Sequence, residues 1–398
     1  MHSWQNQQPM LTSQKHLFSL EEGIHYINCA TMSPNLKSVE KAGFEGIMRK
    51  SNPQNLTQES FFETTIPVQK AFAKLINYDD FNRIAMIPST SYGMAIVARN
   101  LGFKPNLKSG QEILMVHEEF PSDVYAWEEI CMNKGLKVKT ILPPASLENR
   151  GKIWNETLVN SINANTCLVV ISPTHWADGT RFDLEAIGKQ CRTYNALFII
   201  DGAQSIGALP LDIQTIRPDA VINVGYKWLL GPYSAGVAYF GEYFDTGSSI
   251  ERNWINRIGS ENFRNLVNYQ DHYRPKADRY NVGERSNFIL NPMLETSLNQ
   301  LLDWGVNNIQ NYCKNLLEEP LKTLQAKGYW VEDEAFRTHH LVGIRIPKGA
   351  DIIKIQAELK RRNVQVSFRG EAIRISPHVY NNQTDIDLLV EGLLAVSS

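Results

Sequence analysis

The feature that most limits how this chain can fold is a repeated beat through its middle, where short apolar runs bounded by turn residues alternate with stretches of helical spacing. The runs are Arg83–Ile87, Glu112–Val116, Val138–Leu142, Cys167–Ser172, Ala196–Asp201, Ala220–Val224 and Gly236–Phe240, with amphipathic segments such as Asp123–Asn133 and Asp183–Tyr194 between several of them. A strand with one wet face alternates apolar and polar residues, whereas a strand that is apolar throughout must be covered on both sides. The pattern therefore predicts an α/β fold with a largely parallel sheet between helices. Its active groups are expected at the carboxyl ends of the strands.

The flanking segments differ. Before the beat come a polar, unpatterned start, a short extended piece His25–Ala30, a turn at Ser33-Pro34, and a helical stretch with Val68, Phe72, Leu75 and Ile76 on one face. After about Asn291 come a long helical stretch (Pro292 to Glu318), a strand at Leu341–Ile346, a helix at Asp351–Asn363, a strand at Ala372–Ser376 and a last helix at Asp385–Val396. The expected organisation is an N-terminal segment (1–35) packing near the active site, a large α/β domain (36–290) and a smaller α+β domain (291–398). A chain of 398 residues is long enough for this division.

Charge and cysteine usage narrow the partners. Forty basic against 42 acidic side chains give a net charge of −2, which selects neither nucleic acid nor a lipid surface and leaves a small molecule or another subunit. The five cysteines are scattered, with no C-x-x-C, and read as reduced thiols. The first residues lack the basic and apolar regions of a signal peptide, and no apolar run approaches the ~20 residues that span a bilayer, so a cytoplasmic location is expected.

Three motifs carry chemistry. Pro88-Ser89-Thr90-Ser91-Tyr92-Gly93 follows a strand and opens a helix, where backbone N–H groups and hydroxyls make an anion site suited to phosphate, or simply an N-cap. The run Leu197–Ile200 ends in Asp201-Gly202-Ala203-Gln204, placing an acid at a strand's carboxyl end; it either caps a helix or faces a cation such as a protonated ring nitrogen. Asn223-Val224-Gly225-Tyr226-Lys227-Trp228-Leu229-Leu230-Gly231-Pro232 sets one lysine among apolar neighbours. Burial there lowers an amine's pKa and suits it to a Schiff base, although a lysine stem packed on Trp228 would look the same. Together the three propose one ligand with a phosphate, a pyridine nitrogen and an aldehyde, which is pyridoxal 5′-phosphate. A nicotinamide-dependent dehydrogenase would need G-x-G-x-x-G after an early strand, and none is present.

With these motifs the chain resembles the class V aminotransferase group of fold type I pyridoxal-phosphate enzymes, which includes cysteine desulfurases, isopenicillin-N epimerase-like proteins and kynureninases. The resemblance runs from about Tyr26 to Ile386. It implies that Lys227 is the aldimine lysine, that Asp201 partners the pyridinium nitrogen, and that Gln204 lies near the ring's phenolic oxygen. It further implies that Ser89, Thr90 and Ser91 cradle the phosphate with Tyr226 adding a hydroxyl, and that Phe120 in Glu119–Tyr125 stacks on the ring. Asp178, in Thr174-His175-Trp176-Ala177-Asp178-Gly179, corresponds to a residue that approaches the cofactor's oxygen, or is a turn residue before Gly179. Arg374 corresponds to the arginine that grips a substrate α-carboxylate, with Asn28 as a further substrate contact; its structural alternative is an ion pair with a surface acid. Gly283 and Ser286 align with a loop that reaches the phosphate of a neighbouring subunit, which implies a homodimer.

The implied function is a pyridoxal-phosphate enzyme acting on an amino acid through an external aldimine and a Cα carbanion, aminotransferase-like. Kynureninase-like hydrolysis, epimerisation or lyase chemistry, and a cofactor-binding sensor without turnover are the alternatives. Desulfurases place a nucleophilic cysteine shortly before the carboxylate-binding arginine, and Val364–Ile373 contains none, so persulfide chemistry is not expected. No metal pattern is present; the adjacent His339 and His340 lack the i, i+4 spacing of a helical zinc site.

Overall fold

The structure, a computed structural model, describes residues 11–370 and 372–396. The first ten residues of the expected N-terminal segment thus lie outside the described residues. All seven apolar runs form one sheet, in the spatial order Ile84–Ile87, Gly236–Phe240, Ala220–Val224, Leu197–Asp201, Thr166–Ile171, Glu112–Val116, Lys137–Ile141. Only Gly236–Phe240 runs antiparallel to its neighbours. The other six point the same way, so their carboxyl ends share one edge.

Side chains alternate between two buried layers. On one face Leu114, Val116, Val169, Ile171, Phe198 and Ile200 join one apolar cluster; on the other Ile113, Met115, Leu168, Val170, Leu197 and Ile199 join a second. This is the period of two of a strand, with both faces covered. Each fully buried aliphatic side chain contributes about 1.5–3 kcal/mol. Gly93, in the helix Thr90–Leu101, lets that helix sit against the sheet: a Cβ there would lie 2.6 Å from Ile222 Cγ2.

A second, antiparallel sheet of four strands follows, ordered Ser367–Arg369, Ala372–Ile375, Val342–Arg345, Trp330–Val331. The N-terminal segment is tied to this part, because His25–Tyr26 pairs in parallel with Val364–Gln365 and Asn28 bridges to Ser376.

Several sequence expectations need correction. The long stretch from Pro292 to Glu318 is two helices, Leu290–Trp304 and Val306–Ala326, broken at Gly305, whose φ of 74° ends the first helix. The stretch Asp123–Asn133 is likewise two short helices, Pro121–Tyr125 and Glu128–Lys134. Only His25–Tyr26 of the extended piece is strand, since beyond it the chain turns at Asn28, whose carbonyl accepts the Thr31 N–H.

Candidate active site

The shared edge of the sheet supplies the site strand by strand. Ile87 leads to Ser89 and Thr90, Val116 to Glu119 and Phe120, Ile171 to Ser172 and Trp176, and Val224 to Tyr226 and Lys227; Asp201 ends its own strand. Thr90, Phe120, Asp201, Gln204, Tyr226 and Lys227 line one cavity, together with Glu119, Ser172, Trp176 and Ala203. These are six of the residues the sequence singled out, drawn from four loops.

Lys227 is 7% exposed, and its Nζ lies 5.4 Å from the centre of the Phe120 ring and 5.6 Å from that of Tyr226. Burial pushes its amine down to about 8; Asp201 and Asp123 oppose the shift while Arg374 and Arg369 add to it. An appreciable minority of the amine is therefore uncharged and nucleophilic near neutral pH. Several contacts fix the backbone around it. The Tyr226 carbonyl accepts from the Ser33 N–H at 2.9 Å, and the Trp228 indole donates to Gln204 Oε1 at 3.0 Å. Gly207, at φ 107°, passes so close to the Trp228 carbonyl that any Cβ would overlap it.

Asp201 is buried, and its Oδ1 accepts the Ala203 N–H at 2.9 Å. Gln204 lines the cavity, but both ends of its amide are engaged, Nε2 donating to the Ala30 carbonyl at 3.0 Å and Oε1 accepting from Trp228. Its own carbonyl accepts from His340 Nε2, while Gln310 donates to His340 Nδ1. That imidazole is neutral, pushed down to about 4 by burial, and holds Gln204 in place. Next to the cavity residue Thr90, Ser89 caps the helix Thr90–Leu101, accepting the Tyr92 N–H at 3.2 Å and meeting the Ser91 hydroxyl at 3.0 Å. The first N–H groups of a helix have no partner within it, so this end is built to receive an anion.

Arg374 is 1% exposed and has no carboxylate partner among the described residues. Its guanidinium donates to the Trp176 carbonyl (2.8 Å), Thr31 Oγ1 (3.0 Å) and Ser367 Oγ (3.3 Å), and Nε has no partner. The alternative of a surface ion pair is thus replaced by a buried cation held by neutral groups. Burial, with help from Arg369, pushes it down to about 9, so it is still charged at neutral pH. Asn28 joins this network, its Oδ1 accepting from Thr31 at 2.8 Å and Ser367 at 2.6 Å.

Three predicted residues lie elsewhere. Asp178 does not line the cavity; Arg150 Nη2 holds one oxygen at 2.7 Å, while His175 Nδ1 (3.0 Å) and Thr180 hold the other. Burial would raise this carboxyl, but His175 and Arg150 outweigh it and hold it well below the usual range. The opposite balance raises His175, whose Nε2 also donates to the His117 carbonyl. Gly283 donates its N–H to Glu251, and the Ser286 hydroxyl donates to the Phe61 carbonyl, both away from Lys227. Conversely, Glu119, Ser172 and Trp176 belong to the cavity and were not singled out. Position directly after a strand's carboxyl end would have found Ser172. The Trp176 ring stands edge-on to Phe120 at 5.7 Å, a contact that no local spacing reveals.

The Asp178 network predicts a stability effect. Asp178→Asn should destabilise the fold by about 3 kcal/mol, because Arg150 would keep its buried charge with less compensation. A carboxyl held low in the folded state contributes stability that is present above its unfolded value, about 3.9, and lost as pH falls further. Urea titrations at pH 7 should therefore separate the two proteins and titrations near pH 3 should bring them closer; equal midpoints at pH 7 would contradict the network's role.

Lys227, Asp201, Phe120 and Thr90 thus meet at the carboxyl edge of a mostly parallel sheet, an architecture that matches fold type I pyridoxal-phosphate enzymes. The family model for class V aminotransferases matches residues 52–389, and the chain belongs to that family of pyridoxal-phosphate enzymes. It is 25% identical over 335 residues to isopenicillin N epimerase of Amycolatopsis lactamdurans, covering 79% of this chain and 81% of that one. It is 24% identical over 360 residues to a probable cysteine desulfurase of Borreliella burgdorferi, covering 84% and 82%. Among solved structures, the apo cysteine desulfurase of Thermococcus onnurineus NA1 shares the fold with a TM-score of 0.79 at 19% identity, over 96% of this chain and 97% of that one. The cystine C–S lyase C-DES bound to cysteine persulfide gives a TM-score of 0.81 at 20% identity, over 94% and 97%.

Proposed function

We propose that the protein transfers an amino group between an amino acid and a keto acid. The observation that carries this reading is Lys227, a buried amine pushed down to about 8 between Asp201 and the Phe120 ring, with the acid-free Arg374 beside the same cavity. When bound, pyridoxal phosphate supplies an electron sink for the bonds at Cα. Lys227 Nζ would hold the cofactor's aldehyde carbon and, as a free amine, would move a proton at the substrate Cα. Asp201 would hold a proton on the ring nitrogen. Phe120 would wall the ring and, lacking a titratable group, would offer no second proton. Ser89, Thr90, Ser91 and Tyr226 would hold the phosphate, while Arg374, with Asn28 beside it, would orient the α-carboxylate.

Sulfur transfer through an enzyme-bound persulfide is disfavoured by the thiols themselves. Cys29, Cys167 and Cys191 are buried and pushed up to about 12, and burial also raises Cys131 and Cys313. None is a ready thiolate at neutral pH. The same proposal includes division into the segments 1–35, 36–290 and 291–398, supported by the separate sheets at 84–240 and 330–375. It includes a homodimer in which Gly283 and Ser286 serve the partner's phosphate; their placement outside their own cavity and the exposed Phe44, Ile47 and Met48 support it. A cytoplasmic location accords with five free cysteines, and among the described residues no helix is long and apolar enough to cross a membrane.

The test is a panel of single amino acids added to the holoenzyme, followed by absorption of the bound cofactor and by keto-acid formation with a second keto acid as acceptor. One class of amino acid should shift the band and yield its keto acid. Sulfide release from cysteine, or no spectral response to any amino acid, would overturn the reading.

A further inference from the structure

Behind Asp201 stands a residue that the site as described does not use. Asp123 lies in the short helix Pro121–Tyr125, three residues after the ring-wall Phe120, and its N–H donates to the Phe120 carbonyl at 2.8 Å. It is fully buried, and among the described residues no donor gives a hydrogen bond to either carboxyl oxygen. The side chain within hydrogen-bonding reach is Asp201. Two carboxylates cannot satisfy each other, since both are acceptors, but a carboxylic acid and a carboxylate can.

We propose that Asp123 is a positioning residue that carries a proton at neutral pH and donates it in a hydrogen bond to Asp201, fixing the orientation and the anionic form of the carboxylate that faces the pyridine nitrogen.

The surroundings favour this assignment. The charged and titratable groups facing Asp123 are Asp201, Glu119 and Lys227. Burial is the largest effect and raises Asp123 well above the ordinary range; the negative charges of Asp201 and Glu119 add to it, and only the Lys227 amine opposes. Glu119 is raised less, to about 7, because His175 and the Phe120 N–H offset its burial. One proton shared by a close carboxyl pair is the expected state of such an arrangement. The consequence for the site is electrostatic. A donor aimed at the back of Asp201 favours its charged form, which is the form that can accept the ring-nitrogen proton. A single proton stays within the pair and none is released or consumed.

This inference rests on Asp201 facing the pyridine nitrogen, and its test separates the two ideas. The holoenzyme and the cofactor-free protein are compared by infrared spectroscopy in H2O and D2O at pH 7, for wild type, Asp123→Asn, Asp123→Leu and Glu119→Gln. Because Glu119, raised to about 7, can add a band of its own, the Asp123 band is read in the Glu119→Gln background, where a protonated-carboxyl C=O band sensitive to D2O should appear and should vanish when Asp123→Asn or Asp123→Leu is added, with or without cofactor. Cofactor retention against pH is then followed by absorption. Asparagine can still donate to Asp201, so Asp123→Asn should keep the wild-type acid limb. Leucine cannot, and its acid limb should move up by about one pH unit or more. A band that survives when Asp123→Asn is made in the Glu119→Gln background, or identical acid limbs for the leucine and asparagine variants, would overturn the inference. If the Asp123 band behaves as expected while no variant or wild type binds pyridoxal phosphate, the placement of Asp201 fails and the positioning role falls with it.

Discussion

Replacing Lys227 with alanine should lower kcat by about 10⁴-fold without loss of the fold. On the proposed reading the side chain has two tasks, holding the aldehyde carbon and moving the Cα proton, and no group lining the cavity is suited to take over either. Phe120 has no proton to give, the Tyr226 phenol is raised by burial, and Asp201 is proposed for the ring nitrogen. Stability should be nearly unchanged, because burying an amine costs free energy that the variant no longer bears. Single-turnover assays with a substrate amino acid check this directly; activity within tenfold of wild type would mean that another base performs the chemistry. Added alkylamines should restore part of the rate, as a small free amine can enter the space the side chain leaves.

Arg374→Ala should act on binding instead. Two parallel charge-assisted hydrogen bonds to the α-carboxylate are lost, which predicts a rise in KM of about 100-fold or more with a smaller fall in kcat. Arg374→Lys should recover little, since an ammonium cannot span the Trp176 carbonyl, Thr31 and Ser367 while gripping a carboxylate in two places. The substrate's amine contributes nothing to this contact, so simple carboxylates should compete for the wild-type site and lose their inhibition in the variant. An unchanged KM would assign the α-carboxylate to another group, with Arg369 the nearest candidate.

Much of this was legible in the order of residues because the determinants are local. A fully apolar run such as Thr166–Ile171 announces a strand covered on both sides, and the residue that follows such a strand is delivered to a common edge whatever the rest of the chain does. That logic placed Asp201, Lys227 and Thr90 together, while Phe120 came from the family resemblance. It could not show the partners of Asp178, because Arg150 comes from a helix 28 residues away in the chain. Nor could it see Asp123, whose significance lies in having Asp201 in front of it and no donor around it. Helix ends were missed for a related reason: apolar spacing continues through Gly305, and only a positive φ breaks the rod.

The account stands on one covalent attachment. Borohydride reduction of the cofactor-loaded protein, followed by proteolysis and mass mapping, should place a pyridoxyl group on the peptide containing Tyr226-Lys227-Trp228 and on no other. A protein that takes up no pyridoxal phosphate, or a reduced adduct on a different lysine, would contradict it.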